Sequence, residues 1–217
     1  MVQKFIPMKD IKLLSKNKYL KVPLLFTGGG GGSDWRQHLQ PCEYLHADND
    51  SYIQFDADLN NITYIKCKAN SGIADKFIFQ SHGENNAWLD FLSSSNTYAF
   101  RPYNRQASLL NFNKGQNITI NFDIPNKTLY YSNYTLTFTQ TYIINNNYIR
   151  LFDDDVYIYF IECNIFNLIP CYVIDEYTDN KGNLCSSGVP GMVDTLTGVF
   201  YSNDGNGQFS NGGDIEI

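Results

Sequence analysis

The sequence predicts an all-β protein whose strands pair antiparallel in a β-sandwich. Tyrosine (16) and phenylalanine (15) far outnumber methionine (3) and tryptophan (2), and aromatic side chains favour strands. Charged residues make up only 18% of the chain, so its polar surface must come from Asn, Ser and Thr, which suits the faces of sheets. No stretch of about 11 residues shows helical periodicity, whereas alternation of apolar and polar residues dominates from residue 43 onward.

The clearest alternation lies at 116–124, where isoleucine and phenylalanine alternate with polar residues and predict a half-buried strand. The same pattern recurs at 134–138, and the segment 127–131 between them completes a predicted meander of three strands. Residues 156–160 are apolar on both faces, so we expect a central strand there. Further strands are expected at 50–57, 61–69, 76–81, 87–92, 97–101, 148–152 and 156–166. Short strands with turn signals about every 8–12 residues indicate a β-sandwich.

Residues 167–212 are the most informative block of the chain. They begin with the strand NLIPCYVI, continue with a polar excursion at 175–187, and then form a tight hairpin at 191–202. The turn of this hairpin is expected at 195–197, between two short apolar strands. In the glycine-rich ending at 204–207, an Asp-Gly pair and an Asn-Gly pair each supply a residue that tolerates positive φ.

This block resembles the C-terminal signature of concanavalin A-like (laminin-G-like) sandwich domains in virion proteins of phages that infect gut bacteria. The matching residues are Leu168, Ile169, Pro170, Cys171, Tyr172, Gly191, Met192, Asp194, Gly198, Phe200, Tyr201, Asn203, Gly205, Gly207 and Phe209. The segments 43–45 and 51–55 resemble the opening strand pair of the family, although Gln54-Phe55-Asp56 departs from its usual sequence. The resemblance covers roughly residues 41–212 and implies a jelly-roll. The excursion at 175–187 is longer than the link that the family usually has.

An extended N-terminal arm with a glycine hinge is expected at 1–32, followed by the sandwich domain at 33–217. Residues 1–21 carry six lysines against one aspartate, whereas the rest of the chain carries 10 basic and 21 acidic residues. Residues 28–32 are all glycine, which indicates a hinge rather than a phosphate-binding loop, because no Lys-Ser/Thr pair follows them. A basic arm on an acidic body suggests that residues 1–27 anchor the protein to an acidic protein surface. A solvated terminus is the alternative.

Charge and cysteine usage exclude several classes of protein. The formal net charge of −6 argues against nucleic acid as a partner. Apolar stretches fall far short of about 18 residues, and lysines interrupt each candidate signal-peptide core, so neither a membrane partner nor secretion is expected. The five cysteines form no C-x-x-C pair, and alternation places Cys67 and Cys163 on apolar faces. We therefore expect reduced, buried thiols in a protein that folds in a bacterial cytoplasm.

Catalysis is not expected, although glycoside hydrolases occur among concanavalin A-like sandwiches. Those enzymes place a glutamate, an aspartate and a second glutamate on one face of one strand, which requires Glu-x-Asp spacing. None of the five glutamates has an aspartate two residues later; Glu162 comes closest but has an asparagine there. The aspartate pairs within 56–58 and 153–155 lie at a strand end and in a turn, where solvated carboxylates are expected. A G-x-S-x-G motif is also absent from the sequence.

Acidic clusters raise calcium as an alternative to the expected absence of a cofactor. Three aspartates stand together at 153–155, and oxygen ligands also cluster at Asp175, Glu176, Asp179 and Asn180. Neither cluster has a spacing that specifies a metal site, so solvated loops are the preferred interpretation. A zinc site is not expected, because the three histidines lack ligand spacing to a cysteine pair.

A glycan site would need an aromatic platform with polar side chains beside it. The richest candidate is formed by Trp88, Asp90, Tyr98, Arg101, Tyr103 and Arg105. Alternation within 87–92 places Trp88 and Asp90 on the same face of a strand if Leu89 and Phe91 belong to the core. An exposed tryptophan can equally serve as an oligomer contact or pack under a loop.

Together these features predict a phage virion structural protein of the head-fibre or capsid-decoration type. The arm would anchor it to capsid or other virion proteins, and the lectin-like domain would project from the virion surface. The resemblance implies a symmetric homo-oligomer, with a homotrimer the commonest form for fibres. The alternative is a carbohydrate-binding adhesin of a tail fibre or bacterial cell surface that attaches to host-surface polysaccharide. A glycoside hydrolase is the third hypothesis.

Overall fold

The computed structural model describes residues 35–57, 62–71, 77–83, 89–93, 97–102, 110–113, 115–123, 126, 128–131, 134–137, 146–152 and 155–216. The predicted arm and hinge at 1–32 lie outside these residues. The described part is mostly β, with antiparallel sheets, and its one helical element is a 3₁₀ turn at Trp35–Gln37. The prediction of an all-β protein with a sandwich-like arrangement of antiparallel strands is therefore confirmed.

Nineteen strands are present in the described part of the chain. In chain order they are β1 (Leu39–Pro41), β2 (Leu45–Asp48), β3 (Ile53–Phe55), β4 (Tyr64–Ser71), β5 (Phe77–Gly83), β6 (Leu89–Ser93), β7 (Thr97–Pro102), β8 (Leu110–Asn113), β9 (Ile118–Asp123), β10 (Thr128–Tyr131), β11 (Tyr134–Thr137), β12 (Asn146–Leu151), β13 (Val156–Cys163), β14 (Asn167–Val173), β15 (Glu176–Thr178), β16 (Leu184–Ser186), β17 (Pro190–Asp194), β18 (Phe200–Tyr201) and β19 (Gln208–Asn211).

Most of these strands belong to two sheets. The larger sheet runs in the order β11-β10-β9-β4-β13-β14-β17-β18, with β1 paired to β14 and β2 paired to both β13 and β19. The smaller sheet has the order β3-β12-β5-β6-β7-β8, and β15 pairs with β16 in a separate hairpin. β13 pairs with β4 along its length and with β2 and β14 at its two ends. The central strand predicted at 156–160 is thus confirmed.

One hydrophobic core joins the two sheets. The larger sheet contributes side chains such as Ile120 and Ile158, and the smaller sheet contributes Ile53, Phe79 and Leu151, all essentially removed from solvent. Burying an aliphatic or aromatic side chain of this size stabilises the fold by about 1.5–3 kcal/mol. Alternation is the cause of this arrangement, because every second residue of a strand faces the same side of its sheet.

A second, smaller core lies against the other face of β17. Met192 belongs to the main core, whereas its neighbour Val193 packs with Trp35, Phe200 and Cys185. β17 is therefore covered on both faces, which explains why Gly191, Met192, Val193 and Asp194 are all buried. The smaller sheet does not bury the face of β17 that carries Val193, so other segments of the chain must pack against that face.

The polar excursion at 175–187 supplies part of that cover. It folds into the β15–β16 hairpin, which inserts Cys185 into the second core and packs Tyr177 against it. The backbone amide of Asn180 donates a 2.8 Å hydrogen bond to the carbonyl of Phe200 in β18. The excursion thus occupies hydrogen-bonding groups at the end strand of the larger sheet, where an open edge would invite pairing with another chain.

Candidate functional site

Three of the six residues proposed for glycan binding lie on two strands of the smaller sheet. Asp90 lies in β6, and Tyr98 and Arg101 lie in β7; Trp88, Tyr103 and Arg105 lie outside the described residues. The register places Asp90 opposite Arg101. It also places Gln80 of β5 opposite Asp90, so three polar residues form one row across three strands. The structure therefore brings Asp90 and Arg101 into adjacent register, with Tyr98 three residues along β7.

Glycines of the closing block allow unusually close approach between chain segments. A Cβ on Gly191 would lie 2.6 Å from the ring of Phe200 and closer still to the carbonyl oxygen of Tyr201. A Cβ on Gly205 would overlap the carbonyl oxygen of Asp50. The sequence predicted that the Asp-Gly and Asn-Gly pairs at 204–207 serve positive φ, but none of these residues has a positive φ. Their glycines are required by contact rather than by backbone conformation.

Asp194 organises the hairpin turn of the same block. Its buried carboxylate accepts hydrogen bonds from the backbone amides of Asn167 (2.9 Å) and Leu196 (3.2 Å). Its other oxygen accepts one from the Thr197 hydroxyl at 2.7 Å. A buried carboxylate with three donors has its desolvation compensated, so Asp194 joins the start of β14 to the β17–β18 turn.

Asn203 and Asp204 tie the chain's ending to its opening strands. Asn203 accepts hydrogen bonds from the backbone amides of Tyr52 (3.1 Å) and Gly205 (2.9 Å), and donates to the carbonyl of Gly207 (2.7 Å). Asp204 accepts a 2.6 Å hydrogen bond from the backbone amide of Gln54 and pairs with Lys181. β19 then pairs with β2. The two segments that carry the sequence resemblance thus form one continuous substructure.

The acid that came closest to a catalytic role is engaged with its neighbours. Glu162 lies on β13 opposite Lys66 of β4. One of its oxygens accepts a 2.9 Å hydrogen bond from the hydroxyl of Tyr64, and the other lies 3.3 Å from the Lys66 ammonium. The hydrogen bond to Glu162 raises the pKa of Tyr64. This arrangement is a cross-strand ion pair with a tyrosine donor.

The acidic residues of the 175–180 loop have local partners. Asp179 is almost fully buried and accepts hydrogen bonds from Ser202 and from the backbone amides of Lys181 and Asn183. Burial alone would raise the pKa of Asp179, but these hydrogen bonds outweigh it and leave the pKa lowered. Asp175 accepts a hydrogen bond from the backbone amide of Glu176 and lies 3.1 Å from His38.

A calcium site gains no support from the residues that the structure describes. No group of three or more His, Cys, Asp or Glu side chains is arranged there to hold a metal ion. Two of the three aspartates at 153–155 lie outside those residues. The third, Asp155, is 3.2 Å from the imidazole of His46.

A cluster of aromatic and cationic side chains lies on the larger sheet, and sequence reasoning did not identify it. We call it the aromatic face, defined by Tyr44, His46, Tyr157, Tyr159 and Lys68. His46 stacks on Tyr157 with ring centroids 4.0 Å apart, and Tyr44 meets Tyr157 and Tyr159 edge-on at 5.3 and 5.8 Å. The ammonium of Lys68 lies 4.2 Å above the Tyr159 ring. Alternation in β13 was the available signal, because Tyr157 and Tyr159 lie opposite its core residues.

The aromatic face is held rigidly and keeps its phenols protonated. His46 contacts Asp155 through Nε2 at 3.2 Å and Ser210 through Nδ1 at 3.3 Å. Burial is the main cause that raises the pKa of Tyr157 and Tyr159, and nearby acidic groups add to it. Both phenols therefore remain hydrogen-bond donors well above neutral pH.

The cysteines have no features of a nucleophile. All five are free and buried, as predicted. Burial raises the pKa of Cys42 and of Cys67 to about 12, and that of Cys163 to about 11. Thiols with such pKa values are almost entirely protonated near neutral pH, and the protonated thiol is a poor nucleophile.

Comparison with protein-family models, with curated proteins and with solved structures finds no match to this chain. Among the described residues, no helix combines the length and the apolar character needed to cross a membrane. The arguments for a function therefore start from the residues and contacts given above.

Proposed function

We propose that the chain is a non-enzymatic virion structural protein of the head-fibre or capsid-decoration type. In this proposal the domain at 33–217 is a concanavalin A-like jelly roll displayed on the virion surface, and residues 1–32 anchor it to other virion proteins. Assembly would take place in the bacterial cytoplasm, and the displayed form would be a homo-oligomer, most simply a trimer.

One observation carries the proposal. The residues through which 167–212 resembles phage virion sandwich domains have defined structural roles: Gly191 and Gly205 allow close contacts, Asp194 holds the hairpin turn, and Asn203 joins the ending to the opening strands. Residues whose identity is fixed by geometry are poor candidates for a chance match. The resemblance therefore extends to positions that the fold itself constrains.

Charge distribution supports anchoring by the N-terminal segment. Six lysines against one aspartate in residues 1–21 contrast with an acidic remainder of the chain. Oppositely charged protein surfaces attract at short range and in a salt-dependent way. A basic arm would therefore favour an acidic surface of another protein, while the glycines at 28–32 would leave the displayed domain free to reorient.

Deletion of residues 1–27 tests the anchoring role. Particles would be produced with the full-length chain or with the truncated chain, and incorporation would be measured by quantitative immunoblotting of purified particles. We expect the truncated chain to be lost from particles while its thermal unfolding matches that of the full-length protein. A variant with the six N-terminal lysines changed to glutamine separates charge from sequence. Normal incorporation of the truncated chain would show that the anchoring role is wrong.

A carbohydrate-binding adhesin is the second candidate function. The row formed by Gln80, Asp90 and Arg101 favours it, because residues with an amide, a carboxylate and a guanidinium occupy facing register positions on three strands, and these residue types bind sugar hydroxyls. Trp88, next to β6, would add an aromatic platform. A bacterial polysaccharide array probed with the native protein and with Trp88→Ala tests this role. Weakened binding by the variant supports it, and silence of the native protein across the array counts against it. Release of reducing sugar from a bound polysaccharide would instead indicate a glycosidase.

A further inference from the structure

We infer that the aromatic face is a binding surface for an acidic polysaccharide, with the Lys68 ammonium pairing with a sugar carboxylate beside the Tyr159 ring. This surface lies on the larger sheet, whereas the candidate row of Asp90 and Arg101 lies on the smaller one. Binding there is independent of whether the chain belongs to a virion. It adds a site with its own ligand chemistry to the proposed function.

The first support is the rigidity of the face. Tyr44, His46, Tyr157 and Tyr159 contact one another through stacked and edge-on pairs. His46 is also fixed at both ring nitrogens, by Asp155 and Ser210. Side chains that are already ordered lose little entropy when a ligand binds, which is the usual requirement of an effective binding surface.

The second support is a difference between two neighbouring lysines on β4. The Lys66 ammonium lies 3.3 Å from a Glu162 oxygen, so its charge is compensated. Among the residues that the structure describes, Lys68 has no carboxylate within ion-pair distance, and its ammonium lies over the Tyr159 ring instead. A cation held by a ring keeps its charge available to an added anion.

The third support is the set of groups around Lys68. Burial raises the pKa of the Tyr157 and Tyr159 phenols, so both stay protonated and can donate hydrogen bonds. Both side chains are only partly buried. Sugars present apolar C–H faces together with hydroxyl acceptors, which ring surfaces and phenolic donors complement. A sugar carboxylate supplies the negative charge that Lys68 lacks. An acidic sugar therefore satisfies the ring, donor and charge requirements of the face together.

Other occupants fit the face less well. The N-terminal segment carries six lysines in residues 1–21, so it would bring like charge to Lys68. A second copy related by two-fold symmetry about this face would oppose Lys68 with its own equivalent. The net charge of −6 repels any polyanion at long range, an acidic polysaccharide as well as a nucleic acid, so the aromatic face must select its ligand through contacts with the rings and with Lys68.

The net charge also sets the expected strength and form of binding. A single uncompensated cation on an acidic protein gives weak binding per site, with a shallow dependence on salt. Several copies displayed on one particle would convert weak single-site binding into strong attachment to a polymer with many identical sugars. A polysaccharide with many identical acidic sugars is therefore a suitable ligand for a protein that is displayed in many copies.

Binding to polygalacturonate, alginate and hyaluronan, measured by affinity electrophoresis and calorimetry with the full-length chain, tests the inference. Carboxyl-reduced polygalacturonate is the matched ligand control. We expect retarded migration in at least one acidic polymer, and loss of the effect in the reduced polymer. We expect Lys68→Gln to weaken binding about tenfold, because a charge-assisted contact is lost. Lys68→Arg should retain it, and Lys66→Gln should change it less than twofold.

The outcomes separate this site from the others. Loss of binding in Lys68→Gln with retention in Trp88→Ala supports the aromatic face, whereas the reverse pattern overturns it in favour of the smaller sheet. Equal binding of native and carboxyl-reduced polygalacturonate, or no binding to any of the three polymers, also overturns it. Self-association that Lys68→Gln abolishes would show that the face contacts a second copy instead. Each of these results leaves the particle-incorporation assay unaffected, so failure here is distinct from failure of the virion role.

Discussion

The side-chain oxygen of Asn203 accepts a 3.1 Å hydrogen bond from the backbone amide of Tyr52, a residue 151 positions earlier in the chain. The same side chain spans the turn at Gly205 and Gly207. One amide therefore fixes the final turn and attaches it to the start of β3. This contact explains why the chain's ending and its opening strands fold as a single unit.

Replacing Asn203 with alanine should destabilise the domain by about 2–3 kcal/mol, because three part-buried hydrogen bonds are lost at about 1 kcal/mol each. Equilibrium urea unfolding measures the change. Asn211→Ala is the matched control, since Asn211 is exposed and its side-chain amide donates to the carbonyl of the neighbouring Gly212. The control should stay within about 0.5 kcal/mol of the native protein. Equal unfolding midpoints for Asn203→Ala and Asn211→Ala would contradict the structural role of Asn203.

Gly191→Ala should cost about 3 kcal/mol, because the added Cβ has no room between the Phe200 ring and the backbone of Tyr201. Gly213→Ala provides the control, as a Cβ there meets nothing within 4 Å. That variant should change the free energy of unfolding by less than about 0.5 kcal/mol. Chemical denaturation of both variants distinguishes packing at one position from a general cost of removing glycine. If Gly191→Ala is as stable as Gly213→Ala, the close approach described for β17 and β18 is wrong.

Asp179 should make the domain lose stability as pH falls below about 4. Hydrogen bonds from Ser202, Asn183 and Lys181 leave its folded-state pKa lowered, while the unfolded chain titrates near the usual value of about 3.9. Between these two values the unfolded chain binds a proton that the folded chain does not, so acid favours unfolding. The stabilisation is fully present above the unfolded pKa.

Urea unfolding midpoints between pH 6 and pH 3 measure this effect. Asp179→Asn should unfold more readily at neutral pH and should show a smaller loss of stability on acidification than the native protein. Asp56→Asn is the control, because Asp56 is exposed. An unchanged acid dependence in Asp179→Asn would indicate that other carboxylates cause the acid sensitivity.

The thiols should be inaccessible in the folded protein and fully reactive after unfolding. Burial raises the pKa of Cys67 to about 12 and removes it from solvent. An Ellman titration at about pH 8 should detect few thiols in the native protein and all five in guanidinium without reductant. Fewer than five thiols in guanidinium would reveal a disulfide and contradict the reduced state.

Alternation made much of the fold predictable. The strand expected at 116–124 is β9, in which Ile118 and Ile120 are buried while Thr119 and Asn121 are exposed. The hairpin expected at 191–202 is β17 and β18, with Val193 opposite Phe200. These elements depend on neighbours close in sequence, so local pattern and turn residues were enough to predict them.

Other elements escaped sequence reasoning because their signals are weak or depend on distant partners. The sequence predicts a polar loop at 175–187, because most residues of β15 and β16 are polar and only Tyr177 and Cys185 turn toward the second core, while Leu184 is exposed. β19 lies in a glycine-rich ending that resembles a turn, and it becomes a strand by pairing with β2. A strand with few apolar residues is stabilised mainly by its partner, which the local sequence does not reveal.

The candidate sites also differ in whether local sequence or distant partners bring their residues together. The sequence predicts Asp90 and Arg101 in one candidate glycan site, because both lie in one short stretch rich in aromatic and polar residues, and the structure places them opposite one another on β6 and β7. The aromatic face was not predictable in this way, since Lys68 lies on β4, Tyr157 lies on β13 and Tyr44 precedes β2, and these segments are distant in the chain. By itself the sequence determined the all-β class, the strand faces and the buried thiols, because residue alternation decides which side of a strand faces the core. Tertiary structure alone decided which strands are neighbours, because pairing across 100 or more residues depends on packing the whole core at once.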